Sequence, residues 1–428
     1  MLERKTPPEL GKVSELKLSE PEKIILANGV PVYVINEGEQ DVVKIEVIFK
    51  AGSSDCFKED FLTAYAVNEL LDEGTKHHTS AEIAGTFEYY GAVLHTECSA
   101  DWASVSLFTI NKFAEKVFPL FREVIFEPSF PGKEIETYKV QSKQRLQVNK
   151  HKVDHVARKT FNEKIFGIDT AYGFSAKAAD YNKISQVTLR TFHKCKYEFG
   201  IFAIVVAGRV GVGTIKMIEQ YFNGWQDKVD RTKLRNSERK WDSDYVERKF
   251  HTHKKGAVQS GVRIGKILFN KTHPDFMGMS ILNTILGGYF GSRLMSNIRE
   301  DKGYTYGIGS GLVSLQRSGY FSIATEVGTK VREAALKEIY FEIERLRNDP
   351  VPEEELNLVR NYLTGSFQRS MDGPFAQADR LKSVITYNLK YEYFSDYIRT
   401  VNTISAKDLL NLAQKYLEPA KMTEVVIG

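Results

Sequence analysis

Apolar residues along this chain fall into two periods, and the switches between them outline the architecture. Residues 23–27, 30–36 and 42–51 carry Val, Ile and Tyr in short strand-like runs, parted by turn signals at Asn28-Gly29 and Gly38. The period then lengthens. Leu62, Ala66, Glu69 and Leu70 recur at helical spacing, and Gly74 closes that segment. Thr79 or Ser80 is placed to cap a second helix, which Gly91 ends. A hairpin is predicted around 93–97 and 102–109, then helices over 112–125 and 133–165, then a buried-type strand at 202–207.

The second half repeats this order. Strands are predicted at 247–252 and 259–269, helices at about 275–286 and 293–300, and a hairpin at 304–313 and 320–326. Long helices follow over 330–346 and 353–369, with a last strand at 425–427. The stripe Leu336, Ile339, Ile343 and Leu346 is a helix face built for a core. The prediction is an α+β chain of two homologous domains, each a mainly antiparallel sheet with helices packed on one face. The expected boundaries are 1–222 and 246–428. The polar stretch 223–245, rich in Lys, Arg, Asp and Ser, is the linker.

Length supports the division, because 428 residues exceed what one compact core holds. A net charge of +4 implies no acidic partner, and Lys254-Lys255 is a solvated face rather than a nucleic-acid patch. Cys56, Cys98 and Cys195 are odd in number and far apart, which argues against a disulfide framework. The first twenty residues are polar and hold no apolar signal core, and no run reaches the ~18 apolar residues of a membrane span. The expectation is a soluble cytoplasmic protein with no membrane or nucleic-acid partner.

Several segments, in this order and spacing, resemble the pitrilysin or insulinase family of zinc peptidases, especially its branch like mitochondrial processing peptidase. They are LANGVPVYV, FKAGSSD, EGTKHHTSAEIAGTFEYYGAVLHTECSADWASVSL and REVIFEPSFP, then NEKIFG and VVAGRV, and LGGYFGSRLMSNIREDKGYTYGIGSG in the second half. The resemblance covers nearly the whole chain from about Pro21. Active relatives carry an inverted H-x-x-E-H motif just before the Gly74-Thr75 pair. Histidines at i and i+4 share a helix face and grip one zinc, and the glutamate is general base for its water. The positions here are Tyr65, Asn68 and Glu69. The later glutamate ligand falls at Gln144 or Arg145, and Arg145 places a cation close to where zinc sits. One carboxylate cannot build a three-ligand site, so no metal is expected on this chain.

The resemblance keeps its second motif. Arg299 and Tyr306 are seven apart with Gly303 between them, and in active relatives such a pair reaches the substrate peptide. Arginine offers fixed donors to peptide carbonyls, and a tyrosine hydroxyl donates to an oxyanion forming on the scissile carbonyl. Read from spacing alone, Arg299 would pair with Glu300 or Asp301 and Tyr306 would pack in the hairpin. The glycine-rich turn with Gly287, Gly288 and Gly291 corresponds to a substrate-presenting loop of the non-catalytic processing-peptidase subunit, but is shorter here. Read from the residues alone, it is instead a helix cap and turn between two helices. Relatives add peptide as a strand to a sheet edge, which here places Thr96, Cys98 and Ser99 near substrate.

Other patterns point elsewhere. His151, Asp154 and His155 read as H-x-x-D-H, two histidines at metal-binding spacing, but in a Lys-rich segment that suits a solvated helix face. His251 and His253 alternate on a strand, and His77-His78 sit in a polar turn. The glycines of residues 207–213 are out of order for a dinucleotide loop and mark a strand-to-helix turn. Cys195 has lysine neighbours but no other mark of a nucleophile. The expected role is the non-catalytic, substrate-binding subunit of a heterodimeric zinc peptidase, inactive alone. A second insulinase-like subunit would supply H-x-x-E-H and the zinc, and this chain would supply Arg299 and Tyr306 against an unfolded peptide. The alternatives are a structural or peptide-binding subunit without cleavage, and a hydrolase built on His151 and His155.

Overall fold

The structure, a computed structural model, describes residues 20–56, 58–198, 200–224 and 248–428. Residues 225–245 of the expected linker lie outside the described residues. Strands β1 (Glu22–Ile25), β2 (Pro31–Asn36), β3 (Val42–Phe49), β4 (Val93–Cys98), β5 (Ala103–Ile110) and β6 (Ile201–Gly208) form one sheet, ordered β1-β2-β6-β3-β5-β4. Strands β7 (Lys249–Thr252), β8 (Gln259–Leu268), β9 (Ile308–Leu315), β10 (Ser318–Gly328) and β11 (Thr423–Ile427) form a second, ordered β7-β11-β8-β10-β9. Each sheet has a single parallel pair, β2–β6 and β7–β11, among antiparallel ones. The fold is α+β in two similar halves, and β4 and β9 are corresponding edge strands.

The first half carries helices α1 (Phe61–Glu69), α2 (Ser80–Tyr89), α3 (Ala114–Phe126), α4 (Gly132–Asn149), α5 (Val153–Phe166), α6 (Gln186–Lys196) and α7 (Val212–Phe222). The second carries α8 (Phe276–Asn283), α9 (Arg332–Asn348), α10 (Glu353–Ser370), α11 (Pro374–Ile385), α12 (Tyr393–Thr403) and α13 (Ala406–Tyr416). Thr79 is the cap of α2, closing a reciprocal box with Glu82. Wider π-type turns cover Thr284–Gly288 and Met295–Asp301, where the sequence predicts plain helix.

The sequence also predicts one helix over 133–165, and the structure breaks it into α4 and α5. Lys152 takes an extended conformation, φ −86° and ψ 115°. The carbonyls of Lys150 and His151, left without helical partners, accept from Lys254 Nζ at 2.9 and 2.8 Å. The break has a packing cause. Val153, Ala157, Phe161 and Ile165 of α5 bury not on the first sheet but against Phe250, Val425 and Ile427 of the second.

The exchange is mutual. The helices of each half cover one face of their own sheet, with Val43, Val47 and Leu107 meeting Val67 and Phe121 in the first core, and Val262, Ile264 and Phe321 meeting Ile281 and Ile339 in the second. The outer face of the first sheet takes α11 from the second half, whose Ala378, Leu381 and Ile385 meet Ile35, Ile48, Trp102 and Phe202. The run in β6 is apolar on both faces for this reason. Gly261 of β8 lets α5 sit directly on the sheet, since a Cβ there would come within 2.6 Å of the Val153 carbonyl oxygen.

An ionic cluster around the buried Glu46 fixes α11. Lys382 Nζ meets Glu46 at 2.7 Å and Glu97 at 2.6 Å, and Lys44 meets Glu46 at 3.0 Å and Asp379 at 2.6 Å. The hairpin tips of the two halves also touch. Asp101 accepts from the Tyr172 hydroxyl at 2.6 Å and from the backbone N–H of Gln316 at 2.9 Å.

Candidate functional site

Helix α1 brings Tyr65 and Glu69 to one face, as their i, i+4 spacing requires, and α4 lies across from them. Both residues line a cavity of about 500 Å³ together with Arg145. Gln144, the other candidate at that position, is exposed and does not line it. Arg145 Nη2 donates to Glu69 Oε1 at 2.7 Å, and this hydrogen bond raises the guanidinium above its ordinary pKa. Burial pushes the Tyr65 hydroxyl up to about 12, so it stays a neutral phenol. Asn68 is buried and donates from Nδ2 to the Tyr197 hydroxyl at 3.2 Å and to the Ser104 carbonyl at 3.4 Å. It is part of the core scaffold.

These residues do not fit a catalytic zinc. The one carboxylate already faces a guanidinium, the phenol keeps its proton, and Asn68 points its amide into the core. Among the described residues no group of three or more His, Cys, Asp and Glu could hold a metal ion.

The second histidine motif is taken apart by the α4–α5 break. His151 lies in the turn and His155 in α5, so they share no continuous helix face. Asp154 is held by Arg263 at 2.5 Å. Burial and the adjacent Arg158 and Lys159 pull His155 below its ordinary pKa. His251 pairs at 2.7 Å with the buried Glu424, while His253 is exposed. His78 Nδ1 is 3.1 Å from Glu123, so that histidine is held in its turn rather than left to solvent.

Arg299 and Tyr306 flank the turn at Gly303 that leads into β9. Arg299 is on the π-type turn Met295–Asp301, with its guanidinium 4.6 Å from the centre of the Phe290 ring. Its contact with Glu300 is a loose 3.9 Å. Tyr306 is 94% exposed, so it is not packed in the hairpin. The loop beneath it is well tied. Gly303 turns at φ +64°, the Tyr304 N–H donates to the Ile298 carbonyl, and Thr305 Oγ1 donates to the Glu326 carbonyl at 2.7 Å. Neither Arg299 nor Tyr306 lines the Tyr65–Glu69–Arg145 cavity.

Gly287 is buried against β9, where a Cβ would lie 2.7 Å from the Ser310 backbone nitrogen. Its use is close packing, and it offers no surface to a peptide. Gly288 and Gly291 are exposed beside Phe290. On the first sheet, β4 is an edge strand, with Thr96 and Cys98 turned toward α1 and His95 and Glu97 toward α11. Cys98 contacts the Ala64 carbonyl at 3.6 Å, and burial pushes its thiol up to about 12. Ser99 is tied into the hairpin turn, accepting from the N–H groups of Asp101 and Trp102. Sequence reasoning missed Arg158, Lys159, Tyr181 and Tyr320 as neighbours of the Glu69–Arg145 pair. They come from separate elements of both halves, so no local pattern marks them.

Two family models match: insulinase (peptidase family M16) over residues 32–173, and the peptidase M16 inactive domain over residues 183–363. An uncharacterized zinc protease of Bacillus subtilis is 22% identical over 91% of this chain and 93% of its own. A non-peptidase homolog of Helicobacter pylori is 20% identical over 90% of this chain and 88% of its own. A solved structure described as a peptidase M16 inactive domain from Pseudomonas fluorescens has the same fold, with a TM-score of 0.83 at 23% identity over 95% of this chain and 98% of that one. With the order of segments, the two matching halves and the full-length relatives in agreement, this chain belongs to the insulinase (M16) peptidase family.

Proposed function

We propose that this chain is the non-catalytic, substrate-binding subunit of a two-chain zinc peptidase. The observation that carries the reading is Tyr306. A nearly fully exposed phenol on a tied loop, outside the lining of the Tyr65–Glu69–Arg145 cavity, leaves its hydroxyl open to another molecule.

The chemistry follows from the two groups. The guanidinium of Arg299 offers a planar set of donors to the carbonyls of an extended peptide. The hydroxyl of Tyr306 donates to the oxygen that gains negative charge as the scissile carbonyl is attacked. The partner chain supplies H-x-x-E-H, the zinc and the general base. The edge strand β4 offers main-chain groups to a peptide added as a further strand, with Thr96 and Cys98 acting through their backbone.

Peptide cleavage by the purified chain mixed with an H-x-x-E-H chain tests this. Activity that appears only on mixing, and falls with Arg299→Ala and Tyr306→Phe, supports the subunit role. Equal activity with both variants sinks it.

A further inference from the structure

The cavity that stands in place of the metal site has an unmatched charge pattern. Its single carboxylate, Glu69, is taken by Arg145 at 2.7 Å. Two further cations, Arg158 and Lys159, line the same cavity from α5, and neither meets a carboxylate within ion-pair distance among the described residues. The nearest acid on that helix, Asp154, faces Arg263 and is outside the lining. His155 adds a ring held toward its neutral form. Tyr65, Tyr138, Tyr181 and Tyr320 complete the polar wall, and burial raises all four phenols, so each keeps a proton to donate. Asn162 Oδ1 is buried in this wall without a hydrogen-bond partner, an acceptor for an N–H of the peptide and not for its carboxylate.

Arg158 Nη2 reaches His155 Nδ1 at 3.5 Å, a neutral partner. A cavity with two cations that meet no carboxylate, several neutral hydroxyl donors and no available anion is complementary to an anionic oxygen group. Its position narrows the choice. Helix α1, which supplies Tyr65 and Glu69, packs beside the edge strand β4 through Cys98 and Ala64. Leu62, Leu146 and Phe174 give the cavity an apolar side suited to an aliphatic stem. We propose that this cavity receives a carboxylate carried by a peptide, from an acidic side chain or a chain end, so that loss of the metal set turned a catalytic position into a specificity pocket. The inference builds on the peptide-holding role proposed above, but its test needs neither a partner chain nor cleavage.

The test is fluorescence anisotropy of the full chain with three labelled peptides of one sequence. The first has an internal Glu and an amidated end, the second has Gln in its place, and the third has Gln with a free carboxyl end. The Glu peptide or the free-ended peptide binds about tenfold tighter than the amidated Gln peptide. Whichever does so identifies the source of the carboxylate. The pair Arg158→Ala and Lys159→Ala removes that difference. Glu69→Gln releases Arg145 and tightens the carboxylate peptide by about tenfold, a gain that misfolding cannot produce. Equal binding of all three peptides overturns the proposal. So does binding that the Arg158/Lys159 pair leaves unchanged, or a site that inorganic phosphate fills and carboxylate peptides do not displace. Carboxylate-dependent binding without cleavage on mixing would leave this inference standing and remove the two-chain peptidase.

Discussion

Arg145 lies 2.7 Å from Glu69, bridging α4 and α1 where the resemblance to active relatives places a metal ion. Both side chains are about half exposed or more, so the pair contributes little to stability, on the order of 0–1 kcal/mol. Its consequence is chemical. A guanidinium occupies the side from which a third ligand would come, and it neutralises the one carboxylate.

Restoring the histidines alone is therefore expected to fail. Tyr65→His with Glu69→His should bind no zinc, because Arg145 remains as a cation at the site and no third ligand is supplied. Adding Arg145→Glu supplies two histidines and a carboxylate, and stoichiometric zinc is expected. Metal content after dialysis distinguishes the two variants. Zinc in the histidine pair with Arg145 intact would show that the guanidinium is no barrier.

The clasp between the halves gives a second prediction. Burial favours the neutral form of Glu46, but Lys382 and Lys44 hold its carboxyl below the ordinary value. Lys382→Met leaves a buried carboxylate with one partner and frees Glu97. A loss of about 3–5 kcal/mol is expected in chemical denaturation, because one member of a buried pair is removed. A change below about 0.5 kcal/mol would mean that α11 is held by its apolar face alone.

Gly261 tests the exchange of helices from the other side. A methyl group there meets the backbone of Val153 and Asp154, which cannot turn away as a side chain can. Gly261→Ala should cost about 1–3 kcal/mol and loosen α5, visible as faster amide exchange over residues 153–166. Unchanged exchange there would separate α5 from the second sheet.

His193 supplies a pH dependence. Burial pulls its imidazole down to about 4, and Nε2 donates to the Ile125 carbonyl at 2.7 Å. The unfolded chain takes up this proton near pH 6.5 and the folded chain only near 4, so the unfolded state binds more protons between these values. Stability should therefore fall as pH drops through that window, at about 1.4 kcal/mol per pH unit from this group. His193→Gln, which retains a donor that does not titrate, should give a shallower slope. Equal slopes would contradict the buried neutral histidine.

Much of the fold was legible because both periods are strong. Strand runs such as 42–49 and helix stripes such as Leu336, Ile339, Ile343 and Leu346 report burial directly, and all four stripe residues are buried. The α4–α5 break was not legible. Its cause is the burial of Val153, Ala157 and Phe161 on the other half's sheet, a contact that helical periodicity cannot assign to a partner. The site divides the same way. The replacement of the metal ligands at Tyr65, Asn68 and Glu69 could be counted from the Gly74-Thr75 pair, whereas the cations of the cavity converge only in the folded chain.

The most direct measurement is zinc content and peptide cleavage of the purified chain, alone and after addition of an H-x-x-E-H chain. The prediction is no zinc and no cleavage alone, cleavage on mixing, and a fall in kcat of about 10²–10³ on Tyr306→Phe with folding stability unchanged. Stoichiometric zinc or cleavage by the lone chain would contradict the account.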